Sequence, residues 1–220
     1  MISRCTQSIQ RKILSERQKS MQKLHLCIKR KYKDKLYRLE GRCIIMPNNK
    51  YDFTNVSMIG RFAYAVMCTE RYALAKYPEK DWKPLFKWMW KGTSDYFDEW
   101  YYRFMEILPE YLYEFDNYKD AAFDYLSEEN YNYYAEFLKD IDKNMEELLV
   151  TAADLTMVYS YTEIPGKGKE SINLLNKAIK ILEDNNIELP DPESVSFTPF
   201  SEKHGWGENF DGTRLSIILK

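Results

Sequence analysis

Three observations predict that this 220-residue chain is a mainly α-helical bundle of about five to seven helices. Only eight glycines and eight prolines occur, so the backbone has few breakers. Apolar residues recur three and four positions apart over long stretches, which places them on one helical face. Ser, Asp, Pro and Gly punctuate those stretches where helices begin or end.

Residues 1–38 are basic and helical in pattern, with Ile9, Ile13, Leu24 and Ile28 as a thin apolar stripe interrupted by Arg17. "RCIIMP" at 42–47 is β-branched and closed by Pro47, as a short strand would be. The segment 55–77 reads as a helix capped by Asn55 or Ser57, with Ile59, Phe62, Ala63, Val66 and Ala73 on one face. Residues 81–92 form the next, from Asp81 as N-cap to Gly92 as stop. Trp82, Trp88 and Trp90 are its packing side chains. Thr93 or Ser94 opens another, with Phe97, Trp100, Tyr101, Phe104 and Leu108 inward, and Pro109 ends or kinks it.

Ser127 opens the longest series. Tyr131, Tyr134, Leu138, Ile141, Met145, Leu148, Ala152, Leu155 and Tyr159 alternate by three and four, and predict one long amphipathic helix. After the loop "IPGKGKES", Ile172, Leu175, Ile179 and Leu182 mark the last helix. The Pro- and Gly-rich tail from Ile187 does not suit a long helix. Residues 195–200 and 214–219 read as short strands that pair with 43–46 in a small β element.

The formal net charge of −2 hides two opposed parts. Residues 1–50 hold 14 Lys/Arg and 3 Asp/Glu, a net of +11, and residues 51–220 a net of −13. A basic extension over 1–50 and a single acidic, aromatic-rich helical domain over 51–220 follow. No apolar run reaches membrane-span length, so a cytoplasmic protein without membrane contact is expected. Cys5, Cys27, Cys43 and Cys68 are too scattered for a zinc motif. The carboxylate pairs Glu136/Asp140 and Asp120/Asp124 read as solvated helix face, so no metal and no cofactor are expected. There is no P-loop, nucleophile elbow or dinucleotide fingerprint.

Residues 94–147 carry 16 Asp/Glu, 4 Lys/Arg and ten tyrosines. Such crowding of like charge costs stability, and the tyrosines add rigid amphipathic area. A binding face for a basic protein accounts for both. The contact candidates are Glu99, Tyr102, Glu106, Glu110, Tyr113 and Glu114, then Glu136 and Asp140.

The block "GRFAYAVMCTERYALAKYPEKDWKPLFKWMW" and the tail "FSEKHGWGENFDGTRLSIIL" resemble the helical immunity proteins encoded beside bacterial polymorphic toxins, over about residues 55–220. The resemblance implies a cognate toxin partner neutralised by direct stoichiometric binding, with no turnover. The acidic face suits a basic nuclease, whose cleft is built to attract phosphate. Two other readings stand beside it. One is a nucleic-acid-associated regulator using Lys/Arg side chains of residues 1–38. The other is an enzyme using His204 in its polar, glycine-rich loop.

Overall fold

The computed structural model describes residues 51–121 and 123–220. The basic extension expected over 1–50, with its strand at 43–46, lies outside them. Seven α-helices occur among the described residues: α1 Met58–Lys76, α2 Lys83–Lys91, α3 Phe97–Met105, α4 Pro109–Leu112, α5 Glu128–Leu138, α6 Lys143–Met157 and α7 Lys169–Asp184. The mainly helical bundle expected from the periodicity is the observed fold.

Helix α1 is the axis. Its residues from Met58 to Val66 are all buried, and so are Cys68, Thr69, Glu70, Tyr72 and Ala73. It packs against α6 and α7, which also pack on each other, while α3 lies on α6. A helix buried almost all round must satisfy any polar side chain internally. Arg61 and Glu70 both meet this demand, and both are fully buried.

Arg61 donates from Nε to the Phe53 carbonyl at 3.2 Å and from Nη2 to Phe53 at 2.9 Å and Thr54 at 3.3 Å. Its Nη1 reaches the Gly168 carbonyl at 3.1 Å and Ser171 Oγ at 2.6 Å. Burial draws its pKa down to about 10, so it stays charged at neutral pH. One side chain thus holds the entry to α1 against the entry to α7. Glu70 does the same for the end of the chain. Trp90 Nε1 donates to it at 2.7 Å, Ile217 N at 2.8 Å, and the Ser216 hydroxyl also donates.

The series from Tyr131 to Tyr159 is not one helix. It breaks between Leu138 and Lys143, where Asp142 caps α6 by accepting from Met145 N at 2.9 Å. Tyr72 donates its hydroxyl to the other Asp142 oxygen at 2.8 Å, and the Asp142 N–H donates to the Tyr77 hydroxyl. These hydrogen bonds from α1 and its end replace helical ones. The apolar members remain inward because both halves pack on the same body.

Thr93 and Ser94 do not open α3, which starts at Phe97 after Tyr96. Thr93 is buried and anchors the tail. Its carbonyl accepts from Phe210 N at 2.9 Å and its Oγ1 from Gly212 N at 2.9 Å. Asp81 precedes the actual N-cap, Trp82, while Ser57 and Ser127 cap as expected.

The expected strands at 195–200 and 214–219 are absent. The tail instead forms 3-10 turns at Pro192–Val195, Glu202–Gly205 and Gly212–Leu215, with one isolated bridge between Val56 and Pro199. Asp191 and Asp211 cap the first and last of these, each accepting a backbone N–H two residues on at 3.0 Å. The tail binds α1 closely. Ser57 N donates to the Thr198 carbonyl at 2.8 Å and Ile59 N to Trp206 at 3.1 Å. Gly207, at φ 84°, makes that approach, and a Cβ there would lie 2.3 Å from Ser57 Oγ.

Glu70→Ala leaves three donors without their acceptor, and is expected to cost about 3–5 kcal/mol in urea unfolding. The tail beyond Thr213 should then become sensitive to protease. A loss below about 1 kcal/mol would mean that Glu70 does not fasten it.

Candidate functional site

The candidate surface is built by α3, α4, the connection 113–127 and α5. On α3, Trp100, Tyr101, Phe104 and Met105 turn inward. Asp98 and Glu99 sit in the first turn, where the helix dipole favours negative charge. Glu99 is exposed and lies 4.0 Å from Arg103, a loose surface pair of little energetic weight. Tyr102 is half-buried.

Glu106 is a correction to the candidate set. It is buried, and its carboxylate accepts three successive backbone N–H groups, from Asp124 at 2.7 Å, Tyr125 at 3.0 Å and Leu126 at 2.7 Å. Burial raises its pKa against the pull of those donors. The side chain shapes the 113–127 connection from within and offers nothing to a partner. Its position in an acidic run hid this, because spacing does not reveal which carboxylates find backbone donors.

The other candidates reach solvent. Glu110 is exposed on α4 and Glu114 on the connection. Tyr113 is exposed, and its hydroxyl donates to the Ala135 carbonyl of α5 at 2.9 Å. Glu136 and Asp140 are exposed at the end of α5, with Glu136 paired to Lys139. The Tyr113 hydrogen bond brings its ring to α5 beside Glu136, within electrostatic reach of Asp140, Glu136 and Glu146 of α6, the last of which the sequence reading missed. Desolvation first, then these carboxylates, push the Tyr113 phenol up to about 12. Burial is the main cause that raises the Tyr101 phenol, and the charges of Glu110 and Tyr102 add to it. No hydrogen bond or ion pair among the described residues brings Glu99 or Glu114 to Tyr113.

The ten tyrosines of 94–147 divide. Tyr101, Tyr131 and Tyr134 are buried, while Tyr96, Tyr113, Tyr125 and Tyr133 are exposed. Tyr118, Phe123 and Tyr131 form a ring cluster with centroids 5.7–6.1 Å apart, which supports the connection from below. Tyr118 also donates its hydroxyl to the Leu126 carbonyl at 2.9 Å. The connection is therefore long, irregular and internally braced.

His204 is exposed, at φ 56° in a 3-10 turn, and hydrogen-bonds no carboxylate or serine among the described residues. The convergence that a His-based catalytic site needs is missing there. Among the described residues no cluster of His, Cys, Asp or Glu is placed to hold a metal ion. No described helix is long and apolar enough to cross a membrane. The Lys and Arg residues of 1–38 proposed to touch nucleic acid lie outside the described residues. Comparisons with protein-family models, curated proteins and solved structures give no match for this chain.

The tyrosines make alkaline stability measurable. Burial is the largest cause that pushes Tyr72, Tyr102, Tyr113, Tyr134 and Tyr159 up to about 12, and it raises Tyr64 and Tyr101 as well. In the unfolded chain they titrate near about 10. Folded pKa values above the unfolded one mean stability that is full below about pH 10 and lost as pH climbs through about 12. Tyrosinate absorbance should rise together with loss of helical circular dichroism in that window. Smooth titration of all 18 tyrosines near pH 10 in a still-helical protein is the contrary result.

Proposed function

We propose that this chain is an immunity-type protein that neutralises a basic toxic enzyme, in particular a nuclease, by binding it one-to-one through the acidic, tyrosine-bearing surface of residues 94–147. The observation that carries the reading is the exposed Tyr113 ring, hydrogen-bonded to the Ala135 carbonyl beside Glu136 of α5 and lying in the field of Asp140, Glu136 and Glu146. Around it the same segment has a net charge of −12, most of it on exposed side chains.

The mechanism is steering followed by occlusion. The negative field draws the basic partner and raises the encounter rate. Exposed phenol rings then supply rigid contact area with a hydroxyl at the edge. A nuclease cleft lined with Lys and Arg presents the complementary charge, and a carboxylate surface seated on it excludes substrate phosphate. No side chain of this chain needs to turn over for the partner to be inhibited.

Capture with the full chain from its native host is expected to retain a basic toxin domain that high salt releases. Captured material that disappears after nuclease digestion would instead support the nucleic-acid reading. With the purified toxin domain, Glu136→Lys with Asp140→Lys should lower the association rate about tenfold at about 0.05 M salt, and by much less at about 0.5 M. Association rates unchanged by the double reversal would count against the surface.

A further inference from the structure

We propose that Arg214 and the two rings it lies on, Phe197 and Phe210, form a receptor for a carboxylate side chain of a partner protein. The inference goes beyond the proposed function. It uses the C-terminal tail, which is no part of the acidic surface of residues 94–147.

Three side chains from separate parts of the tail meet there. The Phe197 and Phe210 rings pack edge to face, with centroids 5.0 Å apart. The Arg214 guanidinium lies over both, 4.5 Å from the Phe197 centroid and 5.4 Å from that of Phe210. Phe197 is 44% exposed and Arg214 is exposed, so the cluster belongs to the surface.

Backbone anchors fix each member. Thr198, next to Phe197, is buried, and its carbonyl accepts from Ser57 N at 2.8 Å. Phe210 N donates to the Thr93 carbonyl at 2.9 Å. Arg214 stands between Gly212, whose N–H donates to Thr93 Oγ1 at 2.9 Å, and Ser216, whose hydroxyl donates to Glu70. A long side chain is thus laid on a fixed platform, and little further ordering is needed for it to bind.

The platform leaves the guanidinium fork free. Among the described residues Arg214 donates no hydrogen bond and forms no ion pair, unlike Arg61, Arg71 and Arg103. Asp211 is within electrostatic reach, but its Oδ1 accepts from the Thr213 N–H at 3.0 Å and the Thr213 hydroxyl at 2.6 Å. A planar fork of N–H donors matches the two oxygens of a carboxylate. Phenyl ring edges are positive and favour an anion beside them. A nucleic-acid backbone fits less well. Residues 188–220 hold six Asp/Glu against three Lys/Arg, so a row of phosphates meets net repulsion where a single carboxylate is accommodated.

The test uses the full chain and two capped peptides, Phe-Glu-Phe and Phe-Gln-Phe, which differ only in the carboxylate. Oligothymidylate is the third probe. The Glu peptide should bind about five- to tenfold tighter than the Gln peptide, and shift the Arg214 Nε–H resonance. Arg214→Lys keeps the charge and loses the fork. It should weaken the Glu peptide about three- to tenfold and remove most of its advantage over the Gln peptide. Its Tm should stay within about 2 °C of the parent, as for an exposed substitution. Arg103→Lys, at a guanidinium already near Glu99, should change neither peptide. Equal affinity for the two peptides, or an undiminished carboxylate preference in Arg214→Lys, overturns the proposal. A lowered Tm with that preference intact gives Arg214 a structural role instead. Oligothymidylate that displaces the Glu peptide from the parent but not from Arg214→Lys replaces the protein partner by nucleic acid.

Discussion

The architecture depends on one constraint: α1 is buried on nearly every side and yet carries two opposite charges. Neither charge reaches water, and the two do not neutralise each other. Arg61 is met by carbonyls and a hydroxyl from the segments that enter α1 and α7. Glu70 is met by an indole, a hydroxyl and a backbone amide from α2 and the C-terminal tail. The desolvation cost of each ion makes its partners obligatory. Segments with no regular structure of their own thereby acquire a defined place.

Glu106 extends the same device to the acidic surface. A carboxylate at the end of α3 receives three consecutive amides and so shapes the connection before α5. Irregular backbone must place its N–H groups somewhere, and a buried carboxylate can take several at once. Buried carboxylates in this protein do structural work, while exposed ones leave an unbalanced negative field. The distinction separates Glu106 from Glu110 and Glu114, a few residues away on the same run.

The tyrosines divide on the same line. Tyr72 and Tyr118 use their hydroxyls to close polar ends of the fold, on Asp142 and on the Leu126 carbonyl. Tyr125 and Tyr161 turn ring area outward instead. Retaining large rings in water beside like charges is costly for a fold that needs only solubility. The basic protein partner we propose would cover ring surface and neutralise charge together.

The sequence by itself determined the helical class, most helix positions, the inward faces and the division of charge, because those depend on local spacing and on capping chemistry. Ser57 and Ser127 could be read as caps for that reason, and Trp82 and Trp90 as core. Tertiary structure alone decided what long-range hydrogen bonds control. It split the Tyr131–Tyr159 series at Asp142, since Tyr72 and Tyr77 compete there with helical bonds. It made Thr93 a post for the tail, and turned the expected strands into 3-10 turns, since the backbone bonds of the tail go to α1 and Thr93 rather than to a neighbouring strand. It took Glu106 inside, onto the backbone amides of Asp124, Tyr125 and Leu126. Periodicity carries the face on which a residue lies, but not which distant donor or ring will meet it there.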